Sequence, residues 1–161
     1  MCENTPRPNL VTPNSHDVVS IASVSPGTGN ITGTKQMLWT RRRGCPYVPS
    51  PLLYGDSLYT LQHYQGIISR LDTKTGDDQG GPFRLEAIAN VYASPVGAAG
   101  RIYVTSRDGV TVVLRHDSKN ATLAVNKLED SFSASPALVG RELYLRGERF
   151  LYCIAEPGKR G

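Results

Sequence analysis

The chain has 161 residues, 39% hydrophobic and 20% charged, with 16 glycines and 11 prolines. That balance excludes both a membrane-embedded chain and a fully disordered one, and fits a single turn-rich soluble β domain. Lys and Arg total 18 against 14 Asp and Glu, a surplus too small and too scattered for a nucleic-acid footprint. Cys2, Cys45 and Cys153 lie far apart with no C-x-x-C pair, so neither a zinc site nor a dense disulfide framework is indicated.

Met1 to His16 carries three prolines and almost no apolar periodicity, which predicts an irregular arm over 1–16. It lacks the basic and apolar regions of a signal peptide, and nowhere in the chain do about 18 apolar residues follow one another. Next, Asp17–Ala22 and Gln36–Thr40 predict two strands, assigned as the third and fourth of a unit spanning 17–43. Gly27, Gly29 and Gly33 in the loop between them would let backbone N–H groups approach an anion. That loop joins two strands and does not open a helix, so a long hairpin turn is expected.

The middle of the chain repeats. Ser50-Pro51 to Gly55 and Tyr59 recurs as Ser94-Pro95 to Gly100 and Tyr103, and again as Ser135-Pro136 to Gly140 and Tyr144. The prolines stand 44 and 41 positions apart, and each tyrosine follows its proline by 8. Each copy predicts a short strand after Ser-Pro, a turn at Gly and an alternating strand through Tyr. Third strands follow at Gly66–Leu71, Gly109–Leu114 and Phe150–Ile154, rich in β-branched and aromatic residues. Weaker fourth strands are expected at about Phe83–Ile88 and Ala121–Leu128. No comparable segment has helical periodicity.

A period near 40 with four strands per unit is the signature of a β-propeller. The expected fold is all-β, a partial propeller of four-stranded antiparallel blades, about three to three and a half of them. Its units are 17–43 (half a blade), 44–90, 91–131 and a three-stranded last blade, 132–156. Closed propellers have about 4–8 blades, so the chain is expected either to belong to a longer protein or to have its open sides covered by another chain. Because the chain stops after a third strand, Gly161 is expected near a natural terminus, with earlier blades missing on the N-terminal side.

The pieces Ser50-Pro51 to Tyr59, Leu71-Asp72-Thr73-Lys74-Thr75-Gly76 and Leu38-Trp39-Thr40 resemble the pyrroloquinoline-quinone-like (PQQ-like) β-propeller repeat family over about Asp17 to Glu156. The resemblance implies that Trp39 docks one blade onto the next, with Leu71, Asp72, Gly76, Leu114 and Ile154 in the same role. Trp39 is the only tryptophan, and Asp117-Ser118-Lys119-Asn120 lacks the Thr-Gly turn, which implies divergent docking in the later blades. The family includes quinone dehydrogenases and non-catalytic scaffolds, among them outer-membrane assembly lipoproteins.

The residues point away from catalysis. His63 lies in a turn between second and third strands, whereas His116 follows a third strand, so the two sit at opposite ends and cannot share a metal. His16 belongs to the arm, and all three are expected to be solvated. Asp56, Asp72, Asp108, Asp117 and Asp130 occupy turn positions where Asp bends or caps the backbone. Cys45 and Cys153 are expected to be buried thiols acting as small hydrophobes. No catalytic, cofactor-binding or metal-binding residue is nominated, although a dehydrogenase fragment would take PQQ with calcium.

Inter-blade connections and turns between second and third strands share one end of a propeller. Arg41, Arg42, Arg43, Tyr47, His63, Tyr64, Asn90 and Arg107 should point there. Clustered Arg and Tyr favour protein or peptide partners, with no nucleic acid and no membrane insertion; open blade edges also permit self-association. The expectation is a non-catalytic interaction scaffold from a bacterial envelope-type protein, in the periplasm or cell envelope by the resemblance. The alternative is a fragment of a PQQ-dependent alcohol or sugar dehydrogenase.

Overall fold

A computed structural model describes residues 21–24, 28–31, 33–62, 65–116 and 121–155. These residues form strands and turns, with no helix among them. β1 (Ile21–Val24) pairs antiparallel with β2 (Met37–Arg41). β3 (Leu52–Tyr54), β4 (Ser57–Gln62), β5 (Ile67–Asp72) and β6 (Phe83–Arg84) form a second sheet in chain order. β7 (Val96–Ala98), β8 (Arg101–Thr105), β9 (Val110–Arg115) and β10 (Thr122–Lys127) form a third. β11 (Ala137–Val139), β12 (Glu142–Arg146) and β13 (Leu151–Ala155) form a fourth, three-stranded sheet.

The repeated motif produces a repeated register. Tyr54 faces Ser57, Ala98 faces Arg101 and Val139 faces Glu142 across the first hairpins. Tyr59, Tyr103 and Tyr144 then pair with Arg70, Val113 and Cys153 on the third strands. The first hairpins turn through left-handed backbone at Gly55, Ala99 and Gly140, with φ of 59°, 48° and 59°, which explains the glycine at two of the three.

Strand boundaries differ from expectation mainly in the second sheet, where β6 covers only Phe83–Arg84 instead of reaching Ile88. Leu85 N–H bonds to the Gly66 carbonyl at 2.8 Å, and Ile88 N–H bonds back to the Leu85 carbonyl at 3.0 Å. The chain thus curls over the β4–β5 turn and buries Leu85 and Ile88, because inward rotation covers more apolar surface than a continued edge strand would.

Between the second and third sheets lies the main core. Tyr59, Leu61 and Ile68 from one meet Ile102, Val104, Val112 and Leu114 from the other. Burying each such side chain stabilises the fold by about 1.5–3 kcal/mol. Among the described residues, β3 touches β7 and β7 touches β11 from sheet to sheet. The sheets therefore converge on their first strands and fan outward to β10, whose six residues are all exposed. This is the geometry of a partial β-propeller, each sheet a blade.

Candidate interaction face

One end of the blades carries the connections between sheets and the turns between second and third strands. Two of these connections are pinned alike: the Asn90 carbonyl accepts Arg107 N–H at 3.1 Å, and the Ser131 carbonyl accepts Glu148 N–H at 2.9 Å. Arg41, the last residue of β2, is half-buried and turned back into the fold. Its Nη1 meets the Asp78 carboxylate at 3.0 Å and its Nε donates to the Arg43 carbonyl at 2.9 Å. Arg42 and Arg43 are exposed, as is Tyr47. His63 and Tyr64 lie outside the described residues.

Arg107 is half-buried, with its guanidinium 4.9 Å from the Tyr92 ring centroid, a cation–π arrangement. Asn90 is exposed and holds a φ of 60°, a left-handed conformation that asparagine tolerates better than most residues. Beside Arg107 a cavity of about 280 Å³ opens between two blades, lined also by Ser131, Ser133, Arg146 and Glu148. Sequence reasoning missed Arg146 and Glu148. The repeat could have found them, because Glu148 stands one 41-residue period after Arg107.

The residues assigned to docking are placed as follows. Trp39 Nε1 donates to the Thr73 carbonyl at 2.9 Å, from the first sheet to the second. Its indole lies over Gly76, where an added Cβ would stand 2.6 Å from the ring and φ is +77°, so only glycine fits there. Asp72 Oδ1 accepts the N–H groups of Lys74 at 2.8 Å and Thr75 at 3.0 Å. Those two donors hold the Asp72 carboxyl below the usual carboxylate range. Leu71 and Leu114 are fully buried, whereas Ile154, at the same register on β13, is 44% exposed.

Two expectations need correction. His116 is not a solvated turn residue. It reaches from the end of β9 onto the second sheet, edge-on to the Tyr54 ring at 4.7 Å, with Nδ1 2.8 Å from the Tyr59 hydroxyl. Cys153 is exposed, not buried, whereas Val113, at the same register on β9, is buried. Cys45 is buried, its thiol directed at the Arg41 carbonyl at 3.4 Å.

Asp130 joins the third and fourth blades. Its side chain is 2% exposed and accepts the N–H groups of Ser131 at 2.8 Å, Arg149 at 3.2 Å and Phe150 at 3.1 Å, together with the Tyr152 hydroxyl at 3.2 Å. Burial works to raise its pKa, but these donors outweigh it, and the carboxyl is held below the ordinary range. Gly147 is pressed against it; an added Cβ would meet the carboxylate. Among the described residues, no three His, Cys, Asp or Glu side chains converge as a metal site would require.

No protein-family model matches the sequence, and no curated protein matches it. Solved structures do match. BamB from Moraxella catarrhalis superposes over 76% of this chain with a TM-score of 0.55 at 16% identity. A europium-containing methanol dehydrogenase superposes over 65% with a TM-score of 0.51 at 17% identity. This chain spans 37% of the first and 22% of the second. At that identity the likeness concerns the fold alone, a β-propeller.

Proposed function

We propose that the chain is part of a non-catalytic protein-interaction scaffold of the bacterial envelope, working through the end of the blades that bears Arg42, Arg43, Tyr47 and Arg107. One observation carries this reading. Organised polar groups such as His116, Asp72 and Asp130 are committed to holding turns and blades together, while the Arg42 and Arg43 side chains are exposed. Arginine forks and tyrosine rings suit peptide carboxylates and backbone groups. The likeness to BamB and the family resemblance favour the same reading and a periplasmic or envelope address.

Site-specific photocrosslinking tests it. A photoreactive residue at Tyr47 should give a discrete adduct with an envelope protein of the source cells, lost in the Arg42→Glu/Arg43→Glu variant. The same group at Val125, on the exposed β10, should give none. Equal adducts from both positions would remove the proposed face.

The likeness to a methanol dehydrogenase supports a second reading, a fragment of a PQQ-dependent alcohol or sugar dehydrogenase. The organised carboxylates fit it poorly: Asp72 and Asp130 are engaged by backbone N–H groups, whereas calcium requires several free oxygens converging. Stoichiometric binding of PQQ with calcium, followed by dye-linked alcohol oxidation, would favour the enzyme over the scaffold.

A further inference from the structure

Two joints between blades share one backbone register but are filled differently. Where the second blade meets the third, the Tyr54 ring lies over Gly97, where an added Cβ would stand 2.6 Å from it. Its hydroxyl accepts Gly100 N–H at 2.9 Å, and His116 packs against its edge. Where the third blade meets the fourth, the equivalent pair is Ala98 and Leu138. Alanine has no ring to lay across the joint. What remains is a cleft of about 610 Å³ floored by Ala98, Tyr103, Leu138, Leu143 and Ile154.

We propose that this cleft binds an aromatic side chain presented by an acidic peptide segment of a partner protein. Its place in the fold supplies the size argument, because the matching space one joint earlier holds the chain's own phenol ring with an imidazole against it. Charge supplies the rest. Arg101, exposed at the start of β8, lines the cleft, and a guanidinium matches a carboxylate in a two-point fork. Glu142, the acidic residue of the lining, already accepts the Tyr144 hydroxyl at 2.5 Å. An apolar floor that takes a ring, with an arginine beside it, suits an interface anchor. The cleft lies beside the first hairpin turns, at the opposite end of the blades from Arg107, so it does not depend on the interaction face described above.

The test is a titration of the full chain into fluorescein-labelled acetyl-Glu-Asp-Phe-Asp-Glu-amide, read by anisotropy, beside peptides with Ala for Phe and with Lys for the four acids. Saturable binding of the first, at least about tenfold weaker for either control, is expected. Ala98→Tyr combined with Leu138→Gly rebuilds the Tyr54–Gly97 arrangement and should weaken the Phe peptide by at least about tenfold while raising Tm. A readout on the unaltered chain covers the event that this variant fails to fold: methyl resonances of Leu138, Leu143 and Ile154 should shift as the peptide is added. Equal binding of the Phe and Ala peptides, no saturation at millimolar peptide, or methyl shifts confined to residues elsewhere would overturn the proposal. So would a concentration-dependent dimer, seen by light scattering, that the double substitution dissolves, because a second copy would then be the occupant.

Discussion

The backbone N–H of Ser50 donates to the side-chain hydroxyl of Ser94 at 2.8 Å, and Ser94 N–H repeats the bond to Ser135 at 3.0 Å. Each Ser-Pro motif thus hands a hydrogen bond to the next, where the sheets converge. Ser94→Ala removes one acceptor and should lower stability by about 0.5–1 kcal/mol in urea unfolding. Ser94→Thr keeps the hydroxyl and should recover most of it.

Trp39 reports on the first joint, being the only tryptophan. Gly76→Ala places a methyl against the indole and forces a side-chain-bearing residue to a φ of +77°, a backbone strain of about 1–2 kcal/mol before any clash. The Trp39 emission should shift to the red as the ring is displaced into water. Trp39→Phe loses the bond to the Thr73 carbonyl and part of the ring packed on Gly76, and should cost about 1–3 kcal/mol.

Tyr59→Phe separates hydrogen bonding from packing at the second joint. The ring remains in the core, while the partner of His116 Nδ1 is lost. An expected loss of about 1–2 kcal/mol in denaturant unfolding would show that His116 is a fastener. No measurable change would mean that water replaces the hydroxyl freely.

Asp130 predicts an acid limit to stability. Its folded pKa lies below the ordinary carboxylate value, so its contribution is fully present above the unfolded pKa of about 3.9 and is lost as pH falls through the lower folded value. Tm should therefore be flat from neutral pH to about pH 5 and decline steeply below about pH 4. Asp130→Asn should lower the plateau and weaken that decline, whereas Asp108→Asn, at an exposed turn, should change neither.

How much of this was legible in the sequence follows from the range of the interactions. The Ser-Pro, Gly and Tyr pattern describes hairpins closed within about ten residues, and the strands lie where it placed them, to within a residue or two in most cases. His116 was not legible as a joint, because Tyr59 lies 57 positions away in another repeat. By its sequence Asp130 is a turn residue, while the donors around it come from 19 to 22 positions on as well as from its neighbour. Arg41 carries the same lesson: a run of three arginines suggests a solvated patch, but Asp78, 37 positions on, draws one of them away. Cys153 shows the limit most directly. Its register matches that of buried Val113, and only the neighbouring surface differs.

Because each sheet leans chiefly on the one before and the one after it, the molecule behaves as a short linear array. Its free energy is then close to a sum of blade terms and nearest-neighbour coupling terms. Fraying should begin at the two-stranded β1–β2 end, held by Trp39 and Arg41, while the Tyr59–Leu114 boundary gives way last. Hydrogen exchange would register this as a gradient along the chain, steepest across the best-packed boundary.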